Sequence, residues 1–311
     1  MPHIANIEEY DGWMTAYSVA LNDEWRRLRE MNSDYRFIAS FMPVTTKTVA
    51  FPFTKDLAPM RQWIGDRDIH ELDLGSYSFA VDNYELSYHI PEDAAEDDLS
   101  GTIMSVIQQF PGQYERKLER DIFAAYRDGN SGTCALDGLS FFNASHVYQN
   151  GDTFANIDTS GDVSVPWILF DSRQPRAVRV AERMAPRIVT LGPGTEYHTR
   201  TGGYLFAMDA RYGVGYGMPQ VAFRSTKSFT EANILAHMEL MRAFKSMDGI
   251  HDAGVMADTL IIDVSLMSEV QGVLNVPLRS DGTTTVNNIL GPANQAGSLI
   301  KKVIVTQYLQ S

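Results

Sequence analysis

The sequence predicts an α+β fold, and three observations predict it. Residues 98–128 carry Leu99, Ile103, Ile107, Phe110, Tyr114, Leu118, Ile122 and Ala125 three or four positions apart, a spacing that lines one face of a 3.6-residue helix. Residues 167–217 instead hold short runs of strand formers: Trp167-Ile168-Leu169-Phe170, Val178-Arg179-Val180, Arg187-Ile188-Val189-Thr190 and Tyr204-Leu205-Phe206-Ala207-Met208. Residues 229–311 mix the two textures. A helical face through Ile234, Met238, Met241 and Phe244 precedes a buried strand, Thr259–Val264, a short helix through Leu266, Val270 and Leu274, and a last strand, Lys302–Thr306. Strand, helix and strand with a crossover make a small α/β unit, whose pairing direction the sequence leaves open.

Taken in order, residues 1–42 place Trp13, Tyr17, Leu21, Trp25 and Leu28 on one face of an amphipathic helix. That helix either packs on the core or serves as an arm docked on a neighbouring chain. Residues 43–76 carry Thr45, Thr46, Thr48, Val49, Phe51 and Phe53, interrupted by Pro43, Pro52 and Pro59, so they read as a hairpin or extended loop at the margin of the molecule. A hairpin exposing Phe51, Phe53 and Trp63 is an aggregation hazard alone and an interface anchor in an assembly. Tyr77–Ile90 alternates as one half-buried strand with a bulge at Asp82-Asn83.

The acidic run Glu92–Asp98 suits the positive end of the following helix, as a solvated cap rather than a cation site. Pro111-Gly112 predicts a kink, or two stacked helices, near Phe110. Asp128-Gly129-Asn130 predicts a stop with glycine in the left-handed cap. Residues 148–164 read as loop, and Gly213, Gly215 and Gly217 mark bends or close backbone approach within a strand. Ser228–Glu231 has the spacing of a capping box, and Ser265 is placed to cap the short helix after Val264.

Composition narrows the function classes. With 311 residues, 44% hydrophobic and 21% charged, the chain can bury a sizeable core. A net charge of -13 argues against broad affinity for nucleic-acid phosphates, though not against enclosing nucleic acid without gripping it. One cysteine, Cys134, excludes an intrachain disulfide. No apolar run approaches the ~18 residues that span a bilayer, and Met1–Ala5 lacks the start of a secretory signal.

Candidate chemistry is sparse. Cys134 and His146, with Asp137 as orienter, have the residue types of a nucleophile and base, but a His following Phe141-Phe142 is the residue of a turn or packing site. Gly192-Pro193-Gly194 and Gly213-x-Gly215-x-Gly217 lack the spacing of a phosphate loop, and no histidine or cysteine spacing suits zinc. Arg173, Arg176, Arg179, Arg183 and Arg187 form the one basic cluster, expected to pair with acidic neighbours. No catalytic, cofactor-binding or metal-ligating residue is assigned.

An ordered set of motifs resembles the major head subunit family of Mu-like phages and prophages. The set is Met60-Arg61-Gln62-Trp63-Ile64-Gly65-Asp66-Arg67, then Tyr84-Glu85, Glu96-Asp97-Asp98, and Asp137-Gly138-x-x-Phe141-Phe142-x-x-x-His146. Trp167-Ile168-Leu169-Phe170-Asp171-x-Arg173 and Tyr204–Gly217 complete it, and the resemblance covers residues 45–226. It implies a Hong Kong 97-type major capsid fold: an N-terminal arm (1–42), an extended loop (43–76), a peripheral domain (77–228) with a spine helix (98–128), and an axial domain for the α/β unit (229–311).

The resemblance also implies a virion protein, assembled in the host bacterial cytoplasm into hexamers and pentamers of an icosahedral shell around double-stranded DNA, with no sequence-specific DNA binding and no membrane. Expected partners are a portal, decoration proteins and a separate scaffold protein, since nothing like a cleavable scaffolding segment precedes the arm. Two alternatives are a nanocompartment shell of the same fold and a soluble α/β hydrolase using Cys134 or His146.

Overall fold

The long apolar stripe is realised as two helices, α4 (Thr102–Ile107) and α5 (Phe110–Arg127), separated by a turn at Gln108-Gln109. Pro111 lies in the first turn of α5, where its missing N–H is not needed, so the proline restarts a helix rather than bending one. The computed structural model describes residues 19, 21–28, 30, 34–54, 62, 74–96, 102–133, 137–161, 165–174, 176–275, 278–280, 285–287, 290 and 298–310. Helix α5 buries Phe110, Tyr114, Leu118, Ile122, Phe123 and Tyr126. Its C-cap is Asp128, not a left-handed glycine. Gly129 is required for another reason, because a Cβ there would lie 2.8 Å from the Phe142 ring. The acidic run does not cap α5; Glu92–Glu96 forms its own short helix, α3.

Upstream, residues 21–28 form helix α1, followed by α2 (Asp34–Ile38) and strand β1 (Ala39–Pro43). β1 pairs in parallel with β9 (Val178–Leu191), which pairs antiparallel with β10 (Gly203–Tyr216), and β10 pairs antiparallel with β4 (Asp82–Pro91). Within the segment expected as an arm, residues 34–42 are packed into the body: Ile38 and Ala39 are buried, and β1 is an edge strand of this four-stranded sheet. Tyr77–Ile90 is not one bulged strand. It breaks at Val81, which is buried and donates to the Lys47 carbonyl at 2.8 Å; β3 (Leu74–Ala80) belongs to a hairpin with β2 (Thr48–Thr54), and β4 to the sheet.

The second sheet runs β15 (Lys302–Thr306), β12 (Thr259–Asp263), β8 (Trp167–Phe170), β11 (Ala222–Ser225), β7 (Ile157–Asp158). β12 and β15 are parallel, with α8 (Met267–Leu274) on their crossover, as a strand–helix–strand unit requires. The expected boundary at 228 therefore does not hold: β8 hydrogen-bonds to both β11 and β12, so residues from about 157 onward share one sheet with the terminal unit, and β9–β10 is an excursion from it. A contiguous cut through the sequence cannot describe pairing between strands this far apart in the chain.

Strand alternation divides the core. Ile168, Phe170, Ala222, Ile261 and Ile304 face the four-stranded sheet and α5. Trp167, Leu169, Phe223, Leu260 and Ile262 face α7 (Glu231–Arg242) and α8. Two caps differ from expectation. Thr230, not Ser228, accepts from Asn233 N at the start of α7, and Asp263, not Ser265, caps the 3-10 turn before α8. In both cases the residue in extended conformation just before the first helical position has the usable geometry.

Candidate functional site

His146 is completely buried. Its Nδ1 lies 2.8 Å from Asp137 Oδ2 and its Nε2 3.1 Å from the Phe141 carbonyl, while the ring stacks on Phe154. Both nitrogens face acceptors inside one loop, and Asp137 Oδ2 also accepts from Val147 N. This arrangement fastens the loop after α5. Cys134 lies outside the described residues. His146 lines neither the cavity beneath α1 nor the groove beside α7.

The glycine-rich segments are structural. Gly192-Pro193-Gly194 turns β9 into α6 (Glu196–Thr201), with Thr195 as its N-cap. A Cβ on Gly213 or Gly215 would collide with the Ala80 carbonyl or the Phe79 ring, so these glycines let the root of the hairpin lie on β10. Among the described residues no group of three or more His, Cys, Asp or Glu could hold a metal ion, and no helix is long and apolar enough to cross a membrane.

The arginine cluster resolves into separate contacts. Arg173 makes a fork with buried Asp171, Arg187 pairs with Asp209 at 2.8 Å across β9 and β10, and Arg176 covers the rings of Phe37 and Phe170. The acidic partners are in the same chain.

What remains is a set of surfaces suited to contact with other chains. The β2–β3 hairpin leaves the body on a small apolar cluster of Val49, Val81 and Ala181, with Met42, Val44 and Phe79 against it. The side chains of Phe51 and Phe53, and residues Arg61 and Trp63, lie outside the described ones. At the other end of the sheet, α1 rests on α5 through buried Leu21 and a polar knot. There Glu115 accepts from Trp25 Nε1 at 3.3 Å, from Arg36 at 3.0 and 3.1 Å, and from the Tyr35 hydroxyl. A cavity of about 270 Å³ remains beneath α1, lined by Leu21, Trp25, Pro111, Pro186, Ile188 and Met208. The described part of the first helix thus packs on its own chain; Trp13 and Tyr17 lie outside the described residues.

Sequence reasoning missed two buried polar knots. Glu115 gave a signal, an acid on the inner side of a helix next to the apolar stripe. The other joins β7 to α7. Asp158 Oδ2 meets His237 Nε2 at 3.1 Å and Lys227 Nζ at 2.9 Å, and Oδ1 accepts from Ser160. Burial raises the Asp158 pKa, but the hydrogen bonds from Ser160, Lys227 and His237 outweigh it and leave the carboxyl well below the usual range. His237 is shifted down, chiefly by burial, against the pull of Asp158.

Comparison with known proteins agrees with this geometry. The family described as Mu-like prophage major head subunit gpT matches residues 13–301. The chain is similar to the major capsid protein of Escherichia phage Mu, 28% identical over 284 residues, covering 86% of this chain and 92% of the relative. It is 25% identical over 293 residues to the Mu-like prophage FluMu major head subunit of Haemophilus influenzae, covering 91% and 92%. Among solved structures it superposes on the bacteriophage JBD30 capsid with a TM-score of 0.74 at 19% identity, covering 89% of this chain and 91% of that one. On the JBD30 procapsid the TM-score is 0.71 at 21% identity, covering 96% and 99%.

Proposed function

The chain belongs to the Mu-like prophage major head subunit family, and from that premise we propose how it is used. It is a phage major capsid protein with the Hong Kong 97-type fold, and its work is to join copies of itself into a closed icosahedral shell of hexamers and pentamers around double-stranded DNA. In this reading the four-stranded sheet with α5 is the peripheral domain and the five-stranded sheet with α7 and α8 the axial domain. The β2–β3 hairpin is the extended loop, and the residues before α2 are the arm. The subunit is not an enzyme. It is assembled in the host bacterial cytoplasm with a separate scaffold and a portal, and decoration proteins join the finished virion.

The observation that carries the reading is the hairpin. A two-stranded ribbon is marginal in water without support, and the described contact of this one with the body is at its root, through Val49, Val81 and Ala181. In this reading a neighbouring copy supplies the rest of the support. The test is negative-stain imaging of the expressed protein with and without its neighbouring genes. Closed particles of uniform size are expected; subunits that stay monomeric in both preparations overturn the reading.

A further inference from the structure

Helix α5 turns an unusual stripe to solvent. Gln113, Arg116 and Arg120 are exposed along it, Gln109 precedes them, and half-exposed Arg127 closes the row one face-repeat later. No carboxylate stands on the stripe. Glu115 is buried in the knot with Arg36, Glu119 is turned partly inward towards Asp34, and Asp121 is taken by Lys117 and the Tyr212 hydroxyl. Asp128 pairs with Arg127 at the helix end. Among the described residues Arg116 and Arg120 have no ion pair. One turn apart, they repel each other mildly, and they do so in a chain whose net charge is -13. An acidic protein has carboxylates enough to neutralise such a pair, yet here the acids of the same helix point elsewhere.

We propose that this stripe is the surface of the subunit that meets the phosphate backbone of the enclosed DNA, without sequence preference. The inference rests on the reading of the chain as a DNA-enclosing shell subunit, and it adds which face of the subunit points inward. Arg and Gln are both donors to phosphate oxygens. The stripe carries no exposed large apolar side chain, whereas the centre of a protein–protein contact draws on aromatic and aliphatic anchors. Contacts with nucleic acid are more polar and more positive. Residues 113 to 120 extend ~10 Å along the helix at 1.5 Å per residue, the length of about three phosphates on one strand at 3.4 Å each. Two cations exposed on a chain of net charge -13 give weak attraction per subunit, which leaves a packaged genome free to slide.

The experiment measures binding of a short DNA duplex to the full-length subunit across a salt series. It compares wild type, Arg116→Gln with Arg120→Gln, and a control with Arg183→Gln and Arg200→Gln, two exposed arginines elsewhere. Loss of two phosphate contacts should reduce the slope of log affinity against log salt by about 1.8 and weaken binding at low salt, while the control keeps the wild-type slope. The stripe variant should keep its melting transition, since both side chains are exposed. Equal slopes for stripe variant and wild type, equal loss in the control, or no duplex binding by wild type overturns the proposal. Polyglutamate bound as well as duplex also overturns it, reassigning the stripe to an acidic protein. Shell formation is scored separately by imaging: wild-type subunits that never form shells refute the capsid reading, whereas normal shells with unchanged DNA slopes refute only this inference.

Discussion

The two sheets of this subunit are built from similar residues but live in different surroundings. In the five-stranded sheet, β8 and β12 are buried at every position, one face against α5 and the other against α7 and α8. Their sequences are accordingly rich in consecutive apolar residues, WILF in β8 and Leu260–Ile262 at the centre of β12. In the four-stranded sheet one face is covered by the core, and among the described residues the other is covered chiefly by the hairpin root. Strand β4 exposes Asn83, Glu85, Ser87, Tyr88 and His89, and its outer edge has no partner strand among the described residues. The first sheet stabilises the subunit from within. The second presents long strands, a hairpin root and the first helix, the features that the proposed reading assigns to contact with other copies of the chain.

The largest expected effect lies where the two regions meet. Leu118, 1% exposed, touches the core shared by both sheets. Leu118→Asp should cost several kcal/mol by burying an unpaired carboxylate or expelling α5. The subunit should become insoluble, and a soluble mutant with a cooperative thermal transition would make α5 peripheral.

The next pair sets one sheet against the other. Trp167→Ala removes a fully buried ring, packed on Phe229 and His237 and donating to the Lys227 carbonyl, and should cost about 3–5 kcal/mol. Tyr88→Ala removes a ring that is 46% exposed with one aromatic neighbour, Phe110, and should cost about 0.5–1.5 kcal/mol. Urea unfolding of both reads the difference; equal costs would mean that the two sheets are equally self-sufficient.

A third test is confined to the five-stranded unit. His237 has its Nε2 on Asp158 and its buried Nδ1 without an acceptor among the described residues, so protonating Nδ1 creates an N–H that none of them satisfies. Its folded-state pKa is lowered below the unfolded value of about 6.5. The unfolded chain therefore takes up the proton first as pH falls. The stabilisation is complete above about pH 6.5 and is lost as pH drops from there towards the folded pKa. The depressed Asp158 carboxyl loses its contribution only below about pH 3.9 and does not enter this window. Melting temperatures at neutral pH and at about pH 5.5 should diverge more for wild type than for His237→Gln; parallel curves would show that the pair does not sense pH.

The smallest effect on the fold, and the largest on assembly, is expected between β2 and β3 in sequence, at Arg61 and Trp63. Trp63→Ala with Arg61→Ala should leave the melting transition nearly unchanged while closed shells fall sharply in sedimentation, and wild-type assembly should weaken as salt screens exposed pairs. Normal shells, or a collapsed subunit, would show that the segment packs on its own chain.

Local physics was legible in the sequence. Period, proline placement and turn residues located α5, its break near Phe110, the hairpin and the apolar strands, because each depends on neighbours a few positions away. The need for glycine at 213 and 215 was legible as close approach, and the packing role of His146 as a residue following two buried rings. The ordered motifs of residues 45–226 carried the family. What the sequence could not supply was partnership between distant segments. Only the tertiary structure placed β8 between β11 and β12, packed residues 34–42 into the body as a helix and an edge strand, and split Tyr77–Ile90 between a hairpin and a sheet. It alone set Glu115 and Asp158 among donors from other elements, and it alone left Arg116 and Arg120 bare while the acids beside them were drawn inward. Pairing and burial depend on which surfaces meet after the chain closes on itself, and a strand carries the same alternation whichever partner it finds.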